Sequence, residues 1–232
     1  MRGAFADRLA ELEQRVASEL QTAVAWLDQI AAAVRNPGAA KADAISRAGY
    51  RLKLASRTID ADLVRLTACQ APVASDLRLV LALVQLTHSE GLIGNQFELI
   101  SRELAEIDRD VTDRHGTSDR VSRMASGAGL QLQHAAAAFA ARDLALAREL
   151  DREDDVLDRL NREVFEATLE LEGAPERREL GLRHVLIARS LERIGDNAVD
   201  VAEQAEFLVT AQLREFTDAS HPRPGRPRRP RQ

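Results

Sequence analysis

Leu191-Glu192-Arg193-Ile194-Gly195-Asp196-Asn197-Ala198-Val199-Asp200 reads as helix with two distinct faces. Glu192, Asp196 and Asp200 recur at four-residue steps and form one stripe of carboxylates. Ile187, Leu191, Ile194, Ala198, Val201 and Ala205 recur at three- and four-residue steps and form an apolar stripe opposite. A helical wheel therefore sends the acids away from the core that the apolar stripe fills. Gly195 sits inside this helix, where glycine costs about 1 kcal/mol against alanine. A glycine there points to close approach by another helix.

Working outward, proline placement bounds the helices. Pro222, Pro224, Pro227 and Pro230 fall in the tail, so only Pro37, Pro72 and Pro175 interrupt the preceding chain. The first helix carries Leu9, Leu12, Val16, Leu20, Ala23, Leu27 and Ile30 and ends at Asn36-Pro37-Gly38. The second covers 39–69, with Ile45, Leu52, Ile59, Leu63 and Leu66 on one side. Pro72 is read as opening the third, which runs to about Ile107. The fourth covers 122–141, the fifth is capped by Asp143 and runs to about Glu172, and the sixth runs from Pro175 to about Leu213.

These helices look like two copies of one unit. Ala71-Pro72 answers Ala174-Pro175, Ile59-Asp60 answers Leu157-Asp158, and Ile93-Gly94 answers Ile194-Gly195. The expected fold is all-α, a tandem repeat of two antiparallel three-helix bundles over 1–110 and 118–215. A Pro/Arg-rich tail over 217–232 is expected to be disordered, since 221–232 holds no apolar residue to offset the cost of ordering.

Composition agrees. The 232 residues are 45% hydrophobic but only 3% aromatic, which suits Leu/Val/Ile/Ala helices better than a sandwich or barrel. The single Cys69 excludes an internal disulfide, a cysteine-based zinc site and a CxxC redox pair. No signal peptide is visible at the N-terminus, and the least charged stretch, 124–141, still holds Gln131, Gln133 and His134, so no membrane span is expected. The net charge is −5, and because 221–232 brings five arginines and no acid, the rest carries −10. Such a body disfavours nucleic acid.

The residues that could carry chemistry are acids. Asp154 and Asp158 lie four apart on the fifth helix, so with Glu192, Asp196 and Asp200 five carboxylates could share one groove if the two helices are neighbours. Like charges at that spacing repel, and a hard cation such as magnesium, calcium, manganese or ferric iron would relieve them. The same acids also read as a solvated face neutralised by Arg189 and Arg193. The sequence holds no HExxH, GxSxG, Walker loop or GxGxxG, and no histidine has a glutamate three residues before it, as a di-iron bundle requires. His88, His134 and His184 read as surface or packing residues.

At this point the motifs resemble those of the PhoU family. The segment 191–203 resembles its signature, 70–80 after Ile59-Asp60 resembles the matching stretch of its first repeat, and 154–165 resembles its fifth helix. The resemblance spans roughly 5–213. It implies a non-enzymatic, cytoplasmic negative regulator of phosphate uptake and signalling, working between a phosphate ABC transporter and a membrane sensor histidine kinase, with a homodimer expected. It also implies a metal ion or cluster (iron, manganese, magnesium or zinc) at Asp154, Asp158, Glu192, Asp196 and Asp200. The first repeat departs from the pattern: Gly91 and Asn95 replace the motif's Glu and Asp, and on the second helix Asp60 remains while Ser56 stands four residues before it. The alternative is a helical metal-binding protein whose carboxylate surface is its main function.

Overall fold

The computed structural model describes residues 2–69, 72, 74–108, 110, 111, 113, 115–171 and 175–212. Six helices follow one another: α1 (Arg2–Arg35), α2 (Ala39–Cys69), α3 (Ser75–Ala105), α4 (Thr117–Ala141), α5 (Leu144–Leu169) and α6 (Pro175–Thr210). No strand occurs among the described residues. None of the helices is long and apolar enough to cross a membrane. The expected disorder of 217–232 concerns residues outside those described.

The termini follow local chemistry. Asn36-Pro37-Gly38 ends α1 as expected. Asp143 caps α5, its carboxylate accepting from the backbone N–H of Ala145 (2.9 Å) and Leu146 (3.1 Å). Pro72 does not open α3; the chain first turns through Ala74 at φ 44, and the helix starts at Ser75. The fourth helix begins at Thr117, one turn earlier than its apolar pattern indicates. Gly116 at φ 65 makes the turn, and the Asp113 carboxylate accepts from the N–H of Thr117 (3.2 Å) and Ser118 (2.7 Å). At their far ends α3, α5 and α6 each stop two or three residues short of the expected limit.

The apolar stripe of α1, from Leu9 to Ile30, is buried throughout, and so is that of α6. Within each repeat α2 packs on α3, and α4 and α5 pack on α6. Packing between the repeats is as close: α1 lies more extensively on α4 than on α2, and α3 more extensively on α6 than on α1. Ser122 Oγ of α4 donates to the Ala31 carbonyl of α1 at 2.9 Å, and Arg183 of α6 reaches Glu103 of α3 at 3.2 Å. One buried apolar cluster draws on all six helices.

The two matched glycines mark close approaches. A Cβ at Gly195 would lie 2.7 Å from Leu157 Cδ1 of α5 and 2.9 Å from Gln131 Oε1 of α4. One at Gly94 would lie 2.7 Å from the Gly49 carbonyl oxygen of α2. All three distances are well below ordinary van der Waals contact.

Candidate functional site

The acids singled out from sequence lie on the paired helices α5 and α6, though not as an outward stripe. Asp154 and Asp158 on α5 and Glu192 on α6 are buried, Asp196 is half-buried, and Asp200 is exposed. The wheel treats α6 as facing a single core. In the structure α6 packs on α3, α4 and α5 together, leaving only a narrow sector to solvent, so Glu192 is covered and Asp196 partly so, while Asp200 faces out.

Burial of a carboxylate is tolerated when a partner compensates it. Glu192 is paired with Arg189 one turn before it. Asp158 lies 3.9 Å from Arg162 on its own helix. Asp154 Oδ1 accepts from Gln131 Nε2 of α4 at 3.2 Å, and it is also the oxygen that a Cβ at Gly195 would meet at 3.3 Å. Gly195 therefore lets α6 come close enough for α4, α5 and α6 to meet at one polar spot. Nearby, the amide nitrogen of Asn197 donates to the Arg193 carbonyl at 2.6 Å. The amide oxygens of Gln131 and Asn197 are both buried without a hydrogen-bond partner.

Oxygen donors alone suit a hard cation. As folded, however, Asp154, Asp158 and Glu192 are engaged in a hydrogen bond and ion pairs, and among the described residues no group of three or more His, Cys, Asp or Glu side chains is placed to hold a metal ion. The set does not fit a preformed metal centre.

In the first repeat the positions of three of these acids hold small or neutral residues, and Asp60 remains. A Cβ at Gly91 would lie 3.4 Å from Ser56 Oγ, and Asn95 is exposed. Asp60 accepts from the Thr87 hydroxyl. A second acid lies inside: Glu90 occupies the core position that Leu191 fills in the second repeat, and it is fully buried with both carboxyl oxygens unpartnered. Burial, together with the charges of Glu19 on α1 and Asp60 on α2, holds its pKa well above the usual carboxylate range. Motif matching passes over Glu90; its signal is a charged residue at an apolar step of the heptad Leu83, Leu86, Glu90, Ile93, Phe97.

His184 is a buried packing residue, as the sequence indicates. Its Nδ1 lies 2.7 Å from Thr117 Oγ1, which in turn lies 3.2 Å from Asp113 Oδ1. Burial lowers its pKa to about 4 against the opposing pull of Asp113. The chain of contacts ties α6 to the start of α4.

Known proteins resemble this chain in sequence and fold. The family model for the PhoU domain matches residues 121–205, the stretch that holds the α5–α6 acids. An uncharacterized protein of Deinococcus radiodurans is 31% identical over 172 residues, covering 71% of this chain and 72% of that protein. A Pseudomonas aeruginosa protein named as a phosphate-specific transport system accessory protein PhoU homolog is 30% identical over 166 residues, covering 71% of this chain and 66% of that one. The crystal structure of the phosphate transport system regulatory protein PhoU from Streptococcus pneumoniae superposes with a TM-score of 0.80 at 19% identity, over 91% of this chain and all of that one, and so shares its fold. With the signature helix inside the matched segment and the six-helix fold held in common, this chain belongs to the PhoU family.

Proposed function

We propose that this chain is an accessory regulator of phosphate transport that keeps a phosphate-starvation response off by contact, without turning over a substrate. The observation that carries the reading is the family match over 121–205, which contains the whole 191–203 signature on α6. The Pseudomonas aeruginosa relative, named as an accessory protein of phosphate-specific transport, supports it. The partners in this reading are a sensor histidine kinase and a phosphate ABC transporter, met on the cytoplasmic side, with the regulator acting as a homodimer.

A contact regulator works by binding one state of its partner better than another. A hundredfold preference corresponds to about 2.7 kcal/mol, within reach of a modest interface. The acidic body favours basic partner faces, so the contact weakens as salt rises above physiological strength. Deleting the gene is expected to leave starvation genes switched on in phosphate-rich medium. Normal shut-off in a deletion strain that has no second family member would overturn the reading.

Asp154 beside Gly195, together with the buried, unpartnered amide oxygens of Gln131 and Asn197, supports a second, compatible role in binding a cation once the α5 and α6 acids rearrange. Because Glu192 and Asp158 engage arginines in the fold, an ion would bind only as those pairs open. Elemental analysis of protein purified without chelator is expected to find metal that Glu192→Ala combined with Asp196→Ala removes, while Asn95→Ala retains it. Equal metal in the double variant removes the assignment.

A further inference from the structure

Beside the acids, α5 and α6 enclose a trough of about 340 Å³ lined by Asn161, Arg162, Phe165, Glu166, Val185, Leu186 and Arg189. Its apolar surface is uncovered: Phe165 and Leu186 are each 53% exposed, and Leu169 and Leu182, one turn nearer the α5–α6 connection, are more exposed still. Scattered exposed leucines are ordinary on a protein surface. Here four large apolar side chains occupy facing rows, at 165 and 169 on α5 and at 182 and 186 on α6. The rows continue as arginine: Arg162 one turn before Phe165, Arg189 and then Arg193 beyond Leu186. The trough thus runs from an apolar end to a basic end over about three helical turns. At that end the largely exposed guanidiniums of Arg162 and Arg189 lie over the more deeply buried Asp158 and Glu192, so the arginines are what the surface presents, with Glu166 also in the lining.

We propose that this trough is a docking site for an amphipathic helical segment of another protein, one whose apolar anchors are followed by carboxylates one to two turns on. Three features select that occupant. The concavity between two helices takes a third helix, laid in on its apolar face. Phe165 and two arginines are residue types that dominate interface energetics. The guanidiniums at one end fix direction, because only acids at the matching end of the segment complement them. Arg162 and Arg189 contact Asp158 and Glu192 through intrahelical pairs at a helix surface, and each guanidinium has further donors to offer an incoming carboxylate. The proposal goes beyond the phosphate reading and does not rest on it; a failed gene-deletion test leaves it standing.

The test uses the full chain and two fluorescein-labelled model helices, identical in leucine pattern, one with glutamates and the other with lysines one turn beyond the leucines. Fluorescence anisotropy is expected to show the glutamate helix binding about tenfold or more tighter than the lysine helix. Phe165→Ser is expected to weaken the glutamate helix about tenfold with an unchanged melting temperature, since that side chain is exposed. Arg189→Glu is expected to invert the order of the two helices, a reversal that misfolding would not produce. Equal binding of both helices, or an unchanged affinity in Phe165→Ser, overturns the proposal. So does sedimentation showing a dimer that Phe165→Ser dissolves, which would assign the trough to a second copy. Phe165-dependent co-sedimentation with phosphatidylglycerol vesicles, with no peptide bound, would assign it to a membrane surface and also overturn it.

Discussion

At the scale of single residues, two buried titratable groups pull stability in opposite directions with pH. Glu90 has its folded pKa raised by burial and by the charges of Glu19 and Asp60, so the fold binds its proton more tightly than the unfolded chain does. Its contribution is therefore most favourable below the unfolded value and declines as pH rises from there. His184 is the reverse: with a folded pKa of about 4 against 6.5, it is accommodated neutral, and stability is lost as pH falls through that window. The full loss would be roughly 3 kcal/mol. Glu90→Leu, which installs the residue found at the equivalent position of the second repeat, is expected to raise the melting temperature at pH 8 by about 3–8 °C and by less at pH 5. His184→Gln is expected to flatten the decline between pH 6.5 and 4. Melting curves followed by circular dichroism across pH 4–8 check both. A Glu90→Leu chain that melts lower at pH 8 would show that the buried acid contributes to the fold.

At the scale of elements, the glycines separate what the sequence discloses from what it withholds. Gly94 and Gly195 stand at matched positions, and that alone announces two close helix contacts. The neighbours differ, however. Gly94 faces the carbonyl oxygen of Gly49 and the stem of Lys53, both at 2.7 Å from a built Cβ, while Gly195 faces the ends of the Leu157 and Gln131 side chains. A backbone oxygen cannot swing aside, whereas a leucine methyl can. Gly94→Ala is thus expected to lower stability by about 2 kcal/mol or more through overpacking. Gly195→Ala is expected to cost under about 1 kcal/mol, because the gain in helix propensity offsets part of the clash. Urea midpoints of the two variants give the comparison, and equal midpoints would refute this reading of the contacts. The same limit explains the site. The wheel of α6 identifies its core stripe correctly but sends Glu192 outward, whereas the structure buries it. Which helices cover the remaining faces depends on contacts far apart in sequence, and these bury Asp154, Asp158 and Glu192. Asp143, whose cap is local, was legible; Thr117 as a helix start was obscured because its cap comes from Asp113 in the preceding connection.

At the scale of the whole molecule, the repeat visible in sequence does not make two independent bodies. Within a duplicated bundle each copy would need its own closed core. Here α1 rests chiefly on α4 and α3 chiefly on α2 and α6, so each three-helix unit completes its burial on the other. Leu27 lies against Gly129 of α4, Ser122 donates to Ala31, and Arg142 at the end of α4 holds Glu13 of α1 at 2.6 Å. Separating the units would uncover the buried sides of α4 and α6, including the α4 face around Ser122 and Gly129 that meets α1. Apolar surface so exposed loses about 25 cal/mol per Å². A few hundred Å² would remove most of the 5–15 kcal/mol by which a domain is ordinarily stable. Calorimetry of the full chain is therefore expected to show one transition, with van't Hoff and calorimetric enthalpies in agreement. A fragment covering 118–212 is expected to melt broadly and to bind a hydrophobic dye, though its helices remain visible by circular dichroism. Two resolved transitions in the full chain, or a fragment that melts as sharply as the whole, would show that the repeats fold apart. Cooperative unfolding would have a consequence for regulation: a partner that binds the α5–α6 face would stabilise α1–α3 as well, by mass action on a single folded state.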